Sequence, residues 1–371
     1  MKIHILTGHF VPQLHPRAFR ANELALELAR QGHNVTVTNC WTIKGFDYAS
    51  YATGKGIDIR NLDIFITQEG MTQSKKKTNR LIGFIKEYFL AGSLLFRGPK
   101  IAKRLKIDND TDLVIALSTP FTCQYAISIY YRKYGKNCIT IADSGDPFYG
   151  SKQSPKAIWF KWLEKKVYKY FDYLSIPTEN AIPIYSSVIN PQKILIIPQG
   201  FNMKGVRLCE DNRTMPVKFA YAGVFYKDIR NPEFLFKHLS LQNQDFLFFI
   251  FLRERDPYVD ELINKYSSIS KNIRIIYSLP REQLLFELSK MHFLINIDNT
   301  SSTQIPSKVI DYAISKRPIY SCNETTFQKN IFKKFMDGDY SSQLIVDISK
   351  YEIENVANQF LSAYNRKKNL K

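Results

Sequence analysis

Short apolar runs alternate with longer amphipathic stretches along most of the chain, the rhythm of strands laid side by side and joined by covering helices. Ile3 to Leu6 predicts a strand, Gly8 to Pro16 a polar loop, and Leu24, Leu28 and Ala29 mark one face of a helix that Gly32 stops before the strand Val35-Thr36-Val37. The opening is therefore a βαβ unit. Further strands are predicted at Ile57 to Ile59 or Ile64 to Ile66, then at Leu113 to Leu117, Cys138 to Ala142, Tyr173 to Ile176 and Ile194 to Ile197. Helical stretches lie between several of them, which makes this half a doubly wound α/β unit.

After Pro198-Gln199-Gly200-Phe201-Asn202 the chain turns polar and irregular as far as Met215, which reads as a linker. A second alternation follows at Val217 to Tyr221, Phe246 to Leu252, Ile273 to Tyr277, Phe293 to Ile297 and Pro318 to Ser321. Ile353 to Lys371 predicts a final helix with Val356, Phe360 and Leu361 as apolar positions. The chain divides on this reading into a Rossmann-like domain over 1–198, a second over 199–352, and a helix over 353–371. Two such domains in tandem imply a cleft. A length of 371 residues is comfortable for two cores.

Composition narrows the partners. Fifty-two Lys and Arg against thirty-four Asp and Glu give a formal charge of +18, so the long-range field attracts anions: nucleic acid, anionic lipid or a phosphorylated substrate. Between Met71 and Lys106 ten basic residues face the single Glu87 and are interleaved with large apolar side chains. Leu81, Ile85, Tyr88 and Phe89 share a helical face there, while Lys75, Lys76, Lys77 and Arg80 precede them, a pattern suited to an anionic membrane surface or to a core helix with a basic edge. No apolar stretch reaches the length of a membrane span, and Met1 to Leu6 reads as a strand rather than a signal peptide. Five scattered cysteines without metal-ligand spacing fit a reducing cytoplasm and no zinc site.

The segment Asn296 to Tyr320 carries the clearest chemistry. A buried strand ending at Ile297 leads into a polar loop, Asn299 to Gln304, and Pro306 stands where a first helical turn tolerates proline. Free backbone N–H groups at such a turn meet an anion, and Asp311 can turn a carboxylate toward ribose hydroxyls. The pattern Pro306, Ser307, Lys308, Asp311 and Tyr312 resembles the donor-binding signature of family 4 glycosyltransferases of the bacterial surface-polysaccharide (capsule and O-antigen) type. Many members carry two glutamates eight positions apart. Here Asp311 stands in the second place and Thr303, flanked by Gln304, in the first.

The resemblance extends in ordered pieces along the chain. No GxGxxG follows the first strand, and Gly8-His9-Phe10-Val11-Pro12 stands there instead. His15, Arg17 and Arg20 resemble the amino-terminal signature whose loop closes over donor phosphates or acceptor. Two arginines at a helix start oppose its dipole unless an anion is near, the alternative being a salt bridge to Glu23 or Glu27. Asp143 and Asp146 fall after a predicted strand, where relatives carry a histidine or aspartate beside the reacting sugar. They are candidates for binding hydroxyls, orienting the acceptor or taking its proton, and equally for turn-forming and helix capping. Gly223 to Pro232 resembles the loop that brings cations to the donor diphosphate, with Lys227 and Arg230 as candidates and Lys308 in reserve. Arg253 and Ser278 to Glu282 occupy places where relatives contact the base, and His292 reads as a helix-end residue.

The resemblance implies a GT-B architecture, two Rossmann-like doubly wound domains facing a cleft, with the acceptor side first, the nucleotide-sugar side second, and the last helix crossing back to the first domain. It implies a retaining, metal-independent hexosyltransferase with no cofactor, taking a UDP- or GDP-sugar as co-substrate and a glycan or lipid-linked glycan as acceptor. The expected location is cytoplasmic, peripheral on the inner face of the cell membrane. A nucleotide-sugar epimerase of like architecture is the alternative. A basic nucleic-acid-binding protein is a weaker one, since no recognition motif or stacking platform is visible and no nucleic acid partner is expected.

Overall fold

A computed structural model describes residues 1–13, 15–62, 64–66, 88–89, 94–118, 120–150, 157–210, 214–227, 230–298 and 307–369. The chain divides into two compact units, Met1–Asn202 with Lys350–Lys371, and Met203–Ser349.

The first unit is built on β1 (Lys2–Thr7), β2 (Asn34–Asn39), β4 (Ile57–Asn61), β6 (Leu113–Leu117), β7 (Ile139–Asp143), β8 (Tyr173–Ile176) and β9 (Ile194–Ile196). All pair in parallel, in the order β4-β2-β1-β6-β7-β8-β9. Of the two candidate strands near residue 60, Ile57 onward joins this sheet. Phe65–Ile66 (β5) pairs instead with Thr42–Ile43 (β3) in a separate ribbon.

Period-two alternation assigns the side chains to two cores. Ile3, Ile5, Val35, Val37, Ile115 and Ile141 face one side, while Leu6, Val114, Ala116 and Ala142 face the other. Both faces are dry, as parallel sheets require. On the first face lies the helix Pro16–Arg30, which buries Ala18, Ala21, Leu24, Ala25 and Leu28 at helical spacing. His15 caps it, Pro16 opens it, and Gly32 turns away at φ 85°. Beside it packs the terminal helix Ile353–Lys368, with Val356, Ala357, Phe360, Ala363 and Tyr364 buried in the same core.

The helices Leu94–Arg104, Thr122–Tyr134 and Trp159–Tyr168 contribute to the opposite core, where Ile101, Ile127 and Phe160 are buried. Gly98 allows the first of these to approach the second, because a Cβ there would lie 2.3 Å from the Tyr125 ring. Most of the basic stretch between Met71 and Lys106 lies outside the described residues.

In the second unit β10 (Val217–Ala222), β11 (Phe246–Leu252), β12 (Ile273–Tyr277), β13 (Phe293–Ile297) and β14 (Ile319–Cys322) form a parallel sheet ordered β12-β11-β10-β13-β14. Its alternation is again two-sided. Phe219, Tyr221, Phe248, Ile250, Phe293 and Ile295 build one core, and Ala220, Ala222, Leu294, Val309 and Tyr312 the other.

Candidate active site

In the first unit the chain runs outward from β1 to β2 and β4, then returns to set β6 on the other side of β1. Open parallel sheets hold ligands beyond the carboxyl ends at such a reversal. Gly8 leaves β1 under the Trp41 ring and Pro120, which a Cβ would approach to 2.3 and 2.5 Å. Only glycine fits that turn without displacing them. Beyond it the His9 and His15 rings stack with centroids 4.0 Å apart, and His9 Nδ1 lies 2.7 Å from Gln13 Oε1. Burial lowers the His9 pKa, favouring the neutral ring. His15 Nδ1 accepts the Arg17 backbone N–H at 3.2 Å.

Glu27 holds Arg30 and Gln31. Arg17 and Arg20 both converge on Asp143. Arg20 Nε and Nη2 donate to its two carboxylate oxygens at 2.7 and 2.6 Å, and Arg17 Nη2 donates to its carboxylate and, at 2.9 Å, to its carbonyl. Ser175 Oγ donates a further bond at 2.9 Å.

Asp143 sits deeper than a solvent turn would put it. It is the last residue of β7 rather than a turn carboxylate, it is 1% exposed, and its carboxylate oxygens accept four bonds from three residues. Burial pushes its pKa up, but Arg20 and Arg17 outweigh that and hold it at about 2. Its carboxylate holds two guanidiniums in place. One carboxylate facing two guanidiniums leaves a surplus positive charge, and Arg17 Nε is buried without a hydrogen-bond partner among the described residues. Asp146, three residues on, is exposed.

A buried network supports this turn. Gln124 Nε2 donates to the Asp143 carbonyl at 3.3 Å and to Ser144 Oγ at 3.0 Å, while Tyr168 donates to Glu164 at 3.2 Å. Glu164 accepts the Tyr149 backbone N–H at 3.2 Å, so a carboxylate on the apolar face of the helix Trp159–Tyr168 ties down the loop that carries Asp146.

Burial raises the Glu164 pKa to about 7 against the bonds from Tyr149 and Tyr168. With a folded-state pKa above the unfolded value, its stabilisation is complete below the ordinary glutamate range and is lost as pH rises through about 7. The full swing is about 3 kcal/mol. Wild-type protein should therefore melt progressively lower from about pH 5 to about pH 8, and Glu164→Gln should flatten that slope. Calorimetric melting across the range checks it, and equal slopes in both proteins would remove Glu164 as the cause.

The second unit repeats the reversal, between β10 and β13. Gly223 leaves β10 at φ 130°, a backbone conformation that favours glycine. The helix Ser307–Ile314 begins across from it. Lys308, in its first turn, reaches the Tyr221 hydroxyl at 3.4 Å and the Ile297 carbonyl at 3.2 Å, with its Nζ 4.5 Å from the centre of the Tyr221 ring. Arg230, whose backbone pairs with that of Tyr226, lies against the same Tyr221 hydroxyl. Burial and then Arg230 pull the Lys308 pKa down to about 7. Two cations converge on one strand-end tyrosine, an arrangement that an anion relieves.

The other expected residues that the structure describes have partners of their own or stand exposed. Lys227 is exposed, paired with Glu261 at 2.9 Å and set over the Tyr258 ring at 4.6 Å. Asp311 accepts both Nε and Nη2 of Arg281, at 2.9 and 2.7 Å, while burial raises its pKa against that pairing. Arg253 is exposed, and its carbonyl accepts Ser278 Oγ at 2.6 Å. His292 bridges to the start of β10, its Nδ1 accepting the Lys218 N–H at 3.0 Å. Asn299, Thr303, Gln304 and Pro306 lie outside the described residues, and Ser307 opens the helix.

Sequence reasoning missed Tyr221, His9 and Glu164. Only Glu164 left a clear signal, an acid at helical spacing among Phe160, Val167 and Tyr168. A cavity of about 240 Å³ lined by Lys2, His4, Asp58, Arg60 and Asp108 opens in the first unit where its strands begin, at the opposite edge of that sheet from the Gly8 turn.

No protein-family profile matches the chain, and no curated protein matches it in sequence. Solved structures do match over its whole length, and they define the class of fold as GT-B, with two parallel-sheet Rossmann-like domains. The lipopolysaccharide outer core galactosyltransferase WaaB in its apo form is 14% identical over 99% of this chain and 100% of that chain, with a TM-score of 0.61. TarM is 10% identical over 98% and 99%, with a TM-score of 0.62. HepE of Anabaena in complex with UDP is 8% identical over 100% and 99%, with a TM-score of 0.59.

Proposed function

We propose that the protein is a glycosyltransferase that uses a nucleotide-diphosphate sugar, with the donor held at the β10/β13 reversal of the second unit. The observation that carries this is the convergence of Lys308 and Arg230 beyond the carboxyl end of β10, beside the Gly223 turn. A departing nucleoside diphosphate gains negative charge as the glycosidic bond breaks. Fixed cations therefore stabilise the transition state more than the ground state. Lys308 with Arg230 fills this role better than Lys227, whose charge is shared with Glu261 in solvent.

The fold supports the reading because HepE of the same fold has been solved with UDP and with UDP-glucose. A UDP- or GDP-sugar donor, retention of configuration without a metal, and a lipid-linked surface glycan as acceptor, reached from the inner face of the membrane, follow from the resemblance to family 4 enzymes. In the first unit Arg17, held by Asp143, together with His9 and His15 meets the acceptor or the transferred sugar, and Asp146 is the exposed carboxylate available to a hydroxyl.

Arg230→Ala should lower turnover at saturating donor at least about tenfold, a loss of about 1.4 kcal/mol in the transition state. An unchanged rate removes Arg230 from the mechanism. Incubation with the donor alone separates transfer from epimerisation, since an epimerase converts the donor without any acceptor.

A further inference from the structure

The helix Trp159–Tyr168 divides its side chains sharply. Phe160, Glu164, Val167 and Tyr168 are buried, while Ile158, just before it, is 76% exposed and Trp162 is 60% exposed. Trp159 is 37% exposed. Positions 158, 159, 162 and 166 fall on one helical face. The Ala157 N–H donates to the Tyr88 carbonyl at 2.9 Å, which brings a third exposed aromatic, Phe89 at 49%, near the start of this helix. Large apolar side chains exposed together on one helical face, with Phe89 tied in through the backbone, mark a docking surface rather than scatter.

Its charge selects the partner. Lys165 and Lys166 lie exposed on the helix, and Lys166 stands 3.4 Å over the Trp162 ring. Glu164, the one acid in the helix, faces inward. A second copy of the chain would set these lysines against one another. Tryptophans flanked by lysines match instead the boundary between acyl chains and anionic headgroups, where the indoles meet an apolar phase on one side and polar groups on the other.

We infer that Phe89, Ile158, Trp159 and Trp162, with Lys165 and Lys166, form the surface by which this protein docks on an anionic bilayer. The inference rests on the proposed membrane-side function but locates the contact on the first unit. It moves the centre of the contact from the basic run before Leu81 to the helix after Ala157.

The chain contains three tryptophans, and Trp41 is buried, so the emission that responds to lipid comes from Trp159 and Trp162. The full-length protein is titrated with phosphatidylglycerol vesicles and with phosphatidylcholine vesicles, each with and without brominated acyl chains. The expected result is a blue shift and quenching by brominated chains with the anionic vesicles only, and an affinity lowered about tenfold or more in Trp162→Glu and in the double variant Lys165→Glu with Lys166→Glu. The substituted positions are exposed, and matching melting temperatures identify folded variants. In the double variant Trp159→Phe with Trp162→Phe, vesicle sedimentation should persist while quenching disappears.

Absence of quenching in folded wild-type protein overturns the inference. So does a dimer that Trp162→Glu dissolves while vesicles leave the emission unchanged. Transfer to a soluble acceptor reads the proposed activity separately, so a protein that transfers sugar without docking sinks this inference alone.

Discussion

Replacing Asp143 by Asn is expected to lower the stability of the first unit by about 3–5 kcal/mol, because it leaves Arg17 and Arg20 buried around a neutral side chain. In a unit of this size that corresponds to a fall of roughly 10 °C in its melting transition. The sign with pH is fixed as well. A carboxylate held at about 2 in the folded state, below its unfolded value, contributes stability that is complete above the ordinary aspartate range and is lost as pH falls toward 2. The wild-type advantage over Asp143→Asn should therefore shrink in acid. Calorimetry of Asp143→Asn, Arg20→Met and the double variant measures the pairing. The double variant should be less impaired than the sum of the single ones. A variant as stable as wild type but inactive would return Asp143 to the reacting groups and overturn its role as the holder of Arg17.

Donor affinity should depend steeply on pH through Lys308. An ammonium whose pKa is drawn down to about 7 is half neutral in the free protein at that pH, and a diphosphate seated against it restores the charged form. Binding then takes up a proton. Affinity for UDP should hold its maximum below about pH 7 and fall about tenfold per pH unit above it, until the pKa of the bound state is reached. Lys308→Met should flatten that dependence and weaken binding at low pH by about 1.5–3 kcal/mol, the range for a hydrogen bond to a charged group. A wild-type affinity for UDP that stays level across this range would exclude Lys308 from the diphosphate.

What was legible in the sequence follows from what is local. The strands could be read because buried parallel strands are apolar on both faces, and the alternation of Ile3, Ile5 and Leu6 or of Phe219 and Ala220 needs no knowledge of partners. The Gly8 and Gly223 turns could be read for the same reason. The strand expected to end at Ala142 runs one residue further, which places the Asp143 carboxylate in the sheet rather than in a solvent turn. Its partners Arg17 and Arg20 lie more than a hundred positions away, and local spacing offered Glu23 and Glu27 instead. The same limit applies to the pairing of Lys227 with Glu261 and to the bonds Arg281 makes to Asp311 Oδ1, since each partner is distant in sequence. Lys308 was legible as a candidate because it belongs to a contiguous pattern. That it shares Tyr221 with Arg230 was not, since only the β10/β13 pairing brings them together.

Hydrogen exchange with and without saturating UDP or GDP tests most directly whether the donor lies where Lys308 and Arg230 converge. The expected result is slowed exchange over Gly223 to Tyr226 and over Ser307 to Asp311 with at least one of the nucleotides, lost in Lys308→Met and Arg230→Ala. Protection confined to the first unit, or none with either nucleotide, would contradict a donor site at the β10/β13 reversal.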